Sequence, residues 1–80
     1  MDSPFGSFFK SLREKNSETQ TDAAKWLGVR PRDLSSVEHG MLAVPPEWEA
    51  MIIKHYSLNK KEQEKLRQAL IAQSFYQAGK

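Results

Sequence analysis

Apolar side chains recur along this chain at intervals of three and four, interrupted by a few prolines, glycines and short polar runs. Phe5, Phe8, Phe9 and Leu12 form the first stripe, the spacing that lays one face of a helix on a core. Pro4 suits a first helical turn, where an N–H has no internal partner, so a helix is predicted over 4–15. Asn16-Ser17-Glu18 breaks it. Thr19 reads as an N-cap with Asp22 in the capping-box position, opening a helix over 20–27. Gly28 ends it by taking the left-handed conformation at little cost. A third helix starts at Pro31, turns Leu34 and Val37 inward and closes at Gly40. Residues 41–45 read as a loop. A fourth begins near Pro46, with Trp48, Ile52 and Tyr56 at four-residue spacing as core and Ile53 beside them. Asn59 caps a fifth, with Glu62 reaching back. Leu66, Ala69, Leu70 and Ile71 form its apolar side, and it is predicted to reach about Gln77. Leu66 and Leu70 should pack on Leu58 and the fourth helix. Val, Ile and Thr are sparse and strand alternation is absent. The fold class is therefore all-α, with five helices.

Composition narrows the picture. A chain of 80 residues supports one domain around one core, read as 1–80 with the core in 4–72. There is no cysteine, which excludes disulfides and cysteine metal sites. No apolar run approaches membrane-spanning length, and no basic leader precedes the phenylalanines. A cytoplasmic protein with no membrane association is the expectation. The formal net charge is only +2, and residues 1–40 carry six basic and six acidic side chains. A surface for nucleic acid must then come from geometry, not from a global excess. Neither His39 nor His55 has a metal-ligand partner at helix spacing. Nucleophile motifs and phosphate loops are also missing. No enzyme, cofactor or metal is expected.

The stretch from Thr19 to Gly40 is the most informative. Two short helices joined by a tight turn at Gly28 make a helix-turn-helix over 19–40. Such a unit needs a small residue where its helices cross, met by Ala24. It also needs apolar residues to hold it to the body, met by Leu27, Val29, Leu34 and Val37. With Thr19-Gln20, Leu27-Gly28-Val29 and Leu34-Ser35-Ser36-Val37-Glu38-His39-Gly40, the chain resembles the lambda-repressor-like family of phage repressors, Cro proteins and Xre-type regulators. The flanks Phe9-Lys10-Ser11-Leu12-Arg13, Pro46-Glu47-Trp48 and Tyr56-Ser57-Leu58 fit as well. It departs from the family at four places. Glu18 and Ala23 stand where leucine is usual, which thins the core, with the phenylalanines of the first helix as compensation. Trp26 stands where an exposed polar residue is usual; it either covers an apolar patch or serves a partner. Arg30 replaces a small N-cap residue.

The resemblance implies roles. Arg30, Arg32 and Ser36 point into the major groove, where arginine makes bidentate contacts with guanine. Arg32 and Ser36 lie one turn apart on one helix face. Ser35 and Asp33 are secondary base-reading candidates; Asp33 either accepts from cytosine or opposes the helix dipole. Gln20, with Thr19 before it, contacts phosphate at the start of the second helix. Lys10 and His39 are further phosphate candidates, His39 alternatively a dipole partner. Arg13 and Glu38 are implied to form a buried structural ion pair.

The function expected is sequence-specific binding of double-stranded DNA by a regulator, most simply a repressor. One such domain reads too few base pairs to find a single site. A homodimer on a near-palindromic operator solves this. The alternative is an antitoxin or a protein-interaction module built on the same fold. Dimerisation is assigned to 59–77. Ile71 and Phe75 lie about 100° round the helix from Leu66 and Leu70, so Ile71, Phe75 and Tyr76 form the candidate interface. The competing reading folds the aromatics back over the same subunit.

Overall fold

Two capping boxes and four proline or glycine boundaries set most of the helix ends in the computed structural model, which describes residues 3–76. The elements are α1 (Pro4–Lys15), α2 (Gln20–Leu27), α3 (Pro31–Glu38), α4 (Trp48–Tyr56) and α5 (Lys60–Phe75). No strand occurs among the described residues, so the molecule is all-α. Thr19 and Asp22 exchange hydrogen bonds of 3.1 and 3.0 Å, and Asn59 and Glu62 exchange bonds of 2.8 and 3.1 Å. Each pair satisfies two N–H groups that a helix start leaves orphaned. Gly28 and Gly40 adopt φ of 76° and 77°, the left-handed region that ends a helix cheaply only for glycine.

Two boundaries differ from the sequence reading. Helix α4 starts at Trp48 and not near Pro46. Pro46 and Glu47 form a turn instead, closed by the Trp48 N–H on the Pro45 carbonyl at 3.0 Å. Helix α5 stops at Phe75, because Tyr76 is extended (φ −80°, ψ 135°); Gln77 lies outside the described residues.

The core is aromatic at its centre. Phe5 and Phe9 are fully buried, as are Leu34, Ile52 and Leu66, and the two phenyl rings stack at 5.4 Å. Phe9 also meets Trp26 and Tyr56 edge-on at 6.3 and 6.4 Å. Ala23 is fully buried in the same core. Helix α5 runs chiefly along α1 and less along α4, and Leu66 shares one core with Leu58 and with Trp48 and Ile52 of α4, Leu70 packing against it. Each fully buried apolar side chain of this size contributes roughly 1.5–3 kcal/mol.

Helix α1 meets the end of α3 backbone to backbone. A Cβ on Gly6 would lie 1.8 Å from the Glu38 carbonyl oxygen. The Ser3 N–H and hydroxyl both donate to that same oxygen, at 3.1 and 2.7 Å. The Phe5 N–H donates to Gln73 of α5 at 2.9 Å. Tyr76 lays its ring against Gly40. Tyr76 therefore takes part in this intramolecular junction and is half-buried, while Ile71 and Phe75 stand 56 % and 81 % exposed. Among the described residues no helix is long and apolar enough to cross a membrane.

Candidate nucleic-acid interface

Helix α3 buries Leu34, Val37 and Glu38 and leaves Arg30 and Arg32 exposed at its start. Arg30 holds the N-cap position without a side-chain cap. Its Nε donates instead to Asp33 Oδ2 at 3.2 Å. Asp33 thus sits in the first turn, where a carboxylate opposes the helix dipole, and it already has a cationic partner. Ser35 and Ser36 are half-buried. Their carbonyls anchor the segment that follows: Ser35 accepts from the His39 N–H at 3.0 Å, and Ser36 from the Met41 N–H at 2.8 Å. The His39 ring Nδ1 also lies 2.8 Å from the Ser35 carbonyl, so this nitrogen carries the hydrogen. Lys10 is exposed on α1.

Behind this face lies a polar network. Arg13 Nε donates to Glu38 Oε2 at 3.1 Å and Nη2 to Oε1 at 3.2 Å, a two-pronged pair with both side chains under a tenth exposed. The Arg13 guanidinium also lies over the Phe9 ring at 5.8 Å. Gln20, assigned from the sequence to phosphate, donates its amide Nε2 to Glu38 Oε1 at 3.0 Å. One carboxylate therefore joins α1, the start of α2 and the end of α3. Thr19 is occupied with capping. The Asp22 carboxyl is held below its ordinary value by the Thr19 backbone N–H first and the Thr19 side chain second.

A second network was not legible in the sequence. Glu18 Oε1 accepts from Tyr56 OH at 2.6 Å and from Trp26 Nε1 at 3.2 Å, while Oε2 lies 2.7 Å from His55 Nε2. Trp26 and His55 stack at 3.9 Å with an interplanar angle of 13°. Trp26 therefore covers the edge of its own core. Burial pushes the Glu18 carboxyl up, but hydrogen bonds from His55, Tyr56 and Trp26 together outweigh it and hold the group below its ordinary value. Burial first, and then the Glu18 carboxylate, raise the Tyr56 phenol well above its usual range. Glu18 and Trp26, eight residues apart in the chain, are thus joined by a hydrogen bond.

Among the described residues no group of three or more His, Cys, Asp and Glu side chains is placed to hold a metal. The chain matches no family model, no curated protein and no solved structure.

Proposed function

We propose that α2 and α3 form a helix-turn-helix, and that the protein binds double-stranded DNA sequence-specifically as a transcriptional regulator, most simply a repressor. The observation that carries this reading is the mounting of α3. Its inner face is fixed through Glu38 to α1 and α2, and Arg32 is left exposed at its N-terminal end. A helix held this firmly can enter a major groove with little loss of freedom. Arg32, with Arg30 and Ser36, reads base edges; the start of α2 faces phosphate. The Gln20 amide, already bound to Glu38, would register a phosphate contact to the backbone of α3. No catalytic role and no cofactor are part of the reading.

Selection from a randomised duplex library tests it. An enriched site is expected, on which Arg32→Ala costs about 1–3 kcal/mol while random duplex loses little. Equal losses on both would leave only phosphate contact, and no binding even at low salt would overturn the reading.

Homodimerisation on a near-palindromic operator, with half-sites about 34–36 Å apart, belongs to the same proposal. Ile71 and Phe75 are its candidate contacts. Sedimentation at micromolar concentration should show dimers that an Ile71→Asp, Phe75→Asp double variant converts to folded monomers. Exposed Met41, Leu42, Ile71 and Phe75 favour one second reading, an antitoxin or other protein-interaction module. It gains if DNA is not bound.

A further inference from the structure

The helices α2, α3 and α5 each carry an acidic residue at their third position, and they use it in two ways. In α2 and α5 the carboxylates of Asp22 and Glu62 turn back to the backbone N–H of the capping residue, Thr19 and Asn59. In α3 the capping residue is Arg30, and Asp33 takes its side chain instead: Arg30 Nε donates to Asp33 Oδ2 at 3.2 Å. A guanidinium carries five N–H groups. The one on Nε is held by Asp33, which leaves the four on the terminal nitrogens for another acceptor. The Arg30 side chain is 75 % exposed, so an incoming molecule can reach them. Pro31 sets the backbone beneath. A residue before proline is kept out of the helical region, and Arg30 is extended at φ −80° and ψ 150°. Its carbonyl accepts from the Leu34 N–H at 3.1 Å. Arg30 is thus fixed twice, in its main chain by Pro31 and in its side chain by Asp33.

An arginine reads guanine through two parallel hydrogen bonds to O6 and N7, and its long side chain loses rotamer freedom in doing so. A brace already in place before contact removes part of that loss. An exposed ion pair of this kind adds little to stability, so its effect lies in orientation. We propose that Asp33 is a positioning residue: it holds Arg30 through Nε so that the terminal nitrogens meet O6 and N7 of one guanine in the major groove. The preference for guanine at that position then depends on both residues. This rests on the DNA reading of α2 and α3. Asp33 acts through Arg30 alone, and its effect on base preference vanishes where Arg30 is absent. A carboxylate that accepted from cytosine directly would keep its effect there, and one that only opposed the helix dipole would have no effect on base preference at all.

The experiment starts from the site that wild-type protein enriches from a randomised duplex library. Fluorescein-labelled duplexes carrying each base pair in turn at every position of that site are then compared by anisotropy, and the ratio of affinities gives the preference at each position. Arg30→Ala should abolish the preference for guanine at one position. Asp33→Ala should lower the preference at that same position about two- to fivefold. Asp33→Asn, whose amide oxygen still accepts from Nε, should lower it less, and it carries the comparison alone if Asp33→Ala fails to fold. In the Arg30→Ala background, Asp33→Ala should change the preference no further. Asp33 variants that weaken all duplexes alike overturn the proposal and leave only a role at the helix start. A preference that Asp33→Ala still shifts in the Arg30→Ala background also overturns it, because Asp33 then reads a base itself. Arg32→Ala separates the two layers. A site that responds to Arg32→Ala and not to Arg30→Ala keeps the DNA reading and refutes the brace. A library from which no site is enriched refutes the DNA reading, and the brace with it.

Discussion

Two glutamates organise this small molecule, and they do so in opposite ways. Glu38 is buried and faces Arg13, whose guanidinium stays charged at any accessible pH. It also accepts from Gln20, and its own backbone carbonyl takes both Ser3 hydrogen bonds. Glu18 sits at a wet edge and is held by an indole, a phenol and an imidazole. The first centre is permanent and binds three helices into one body. The second joins the residue before α2 to the ends of α2 and α4 through three ring donors. Burial explains the difference. A dry carboxylate needs a full counter-charge to offset its lost hydration, whereas a partly hydrated one can be held by neutral donors alone.

The comparison breaks most visibly at Arg13. Arg13→Ala leaves Glu38 buried without its counter-charge and should destabilise the protein by about 3–5 kcal/mol in urea unfolding. A loss no greater than that of a surface arginine would show that the Glu38 centre is not the dry one. Gly6→Ala attacks the same centre without touching a charge. The new Cβ meets the Glu38 carbonyl oxygen, backbone that cannot rotate away, and overpacking of this kind costs about 1–3 kcal/mol or more. Thermal melting reads it; an unchanged midpoint would mean that α1 and α3 can separate freely there.

The Glu18 centre should respond more weakly and with a pH signature. Glu18→Gln is expected to cost about 1–2 kcal/mol at neutral pH, through the weaker hydrogen bonds of a neutral acceptor. The folded-state value of Glu18 lies below its ordinary 4.5. Its contribution is thus complete above that ordinary value and is lost as pH falls through the lower, folded one. Urea unfolding from pH 6 down to pH 3 should show wild-type stability falling faster than that of Glu18→Gln. Parallel curves would place the Glu18 carboxyl outside the network. The smallest effect belongs to Gln20→Ala, about 1 kcal/mol or less of stability from one part-buried hydrogen bond. On DNA the same variant should weaken selected and random duplexes alike, in contrast to Arg32→Ala. A preference lost only on the selected site would move Gln20 from phosphate to base contact.

Local signals determined much of the architecture. The capping pairs at Thr19 and Asp22 and at Asn59 and Glu62 act within four residues, as do Gly28 and Gly40 at positive φ. Their helices are legible from the chain itself for that reason. The stripes of Phe5 and Phe9, of Leu34 and Val37, and of Trp48 and Ile52 chose the buried faces, because a 3.6-residue period has only one apolar side to bury. The facing of Arg13 and Glu38 came from resemblance and not from spacing, since no local rule joins residues 25 apart.

Tertiary structure alone decided what lies between elements. Gly6 looks like an ordinary glycine in a helical pattern until α3 crosses it backbone to backbone. Tyr76 looks like a companion of Phe75 until Gly40, left bare of a Cβ, offers its ring a seat. Glu18 reads as a core residue lost, and only the arrival of His55 and Tyr56 from 37 and 38 residues away makes it a centre. Periodicity fixes which face of each helix is apolar. Where faces meet, the outcome depends on atoms contributed by distant segments, and a one-dimensional pattern carries no term for them.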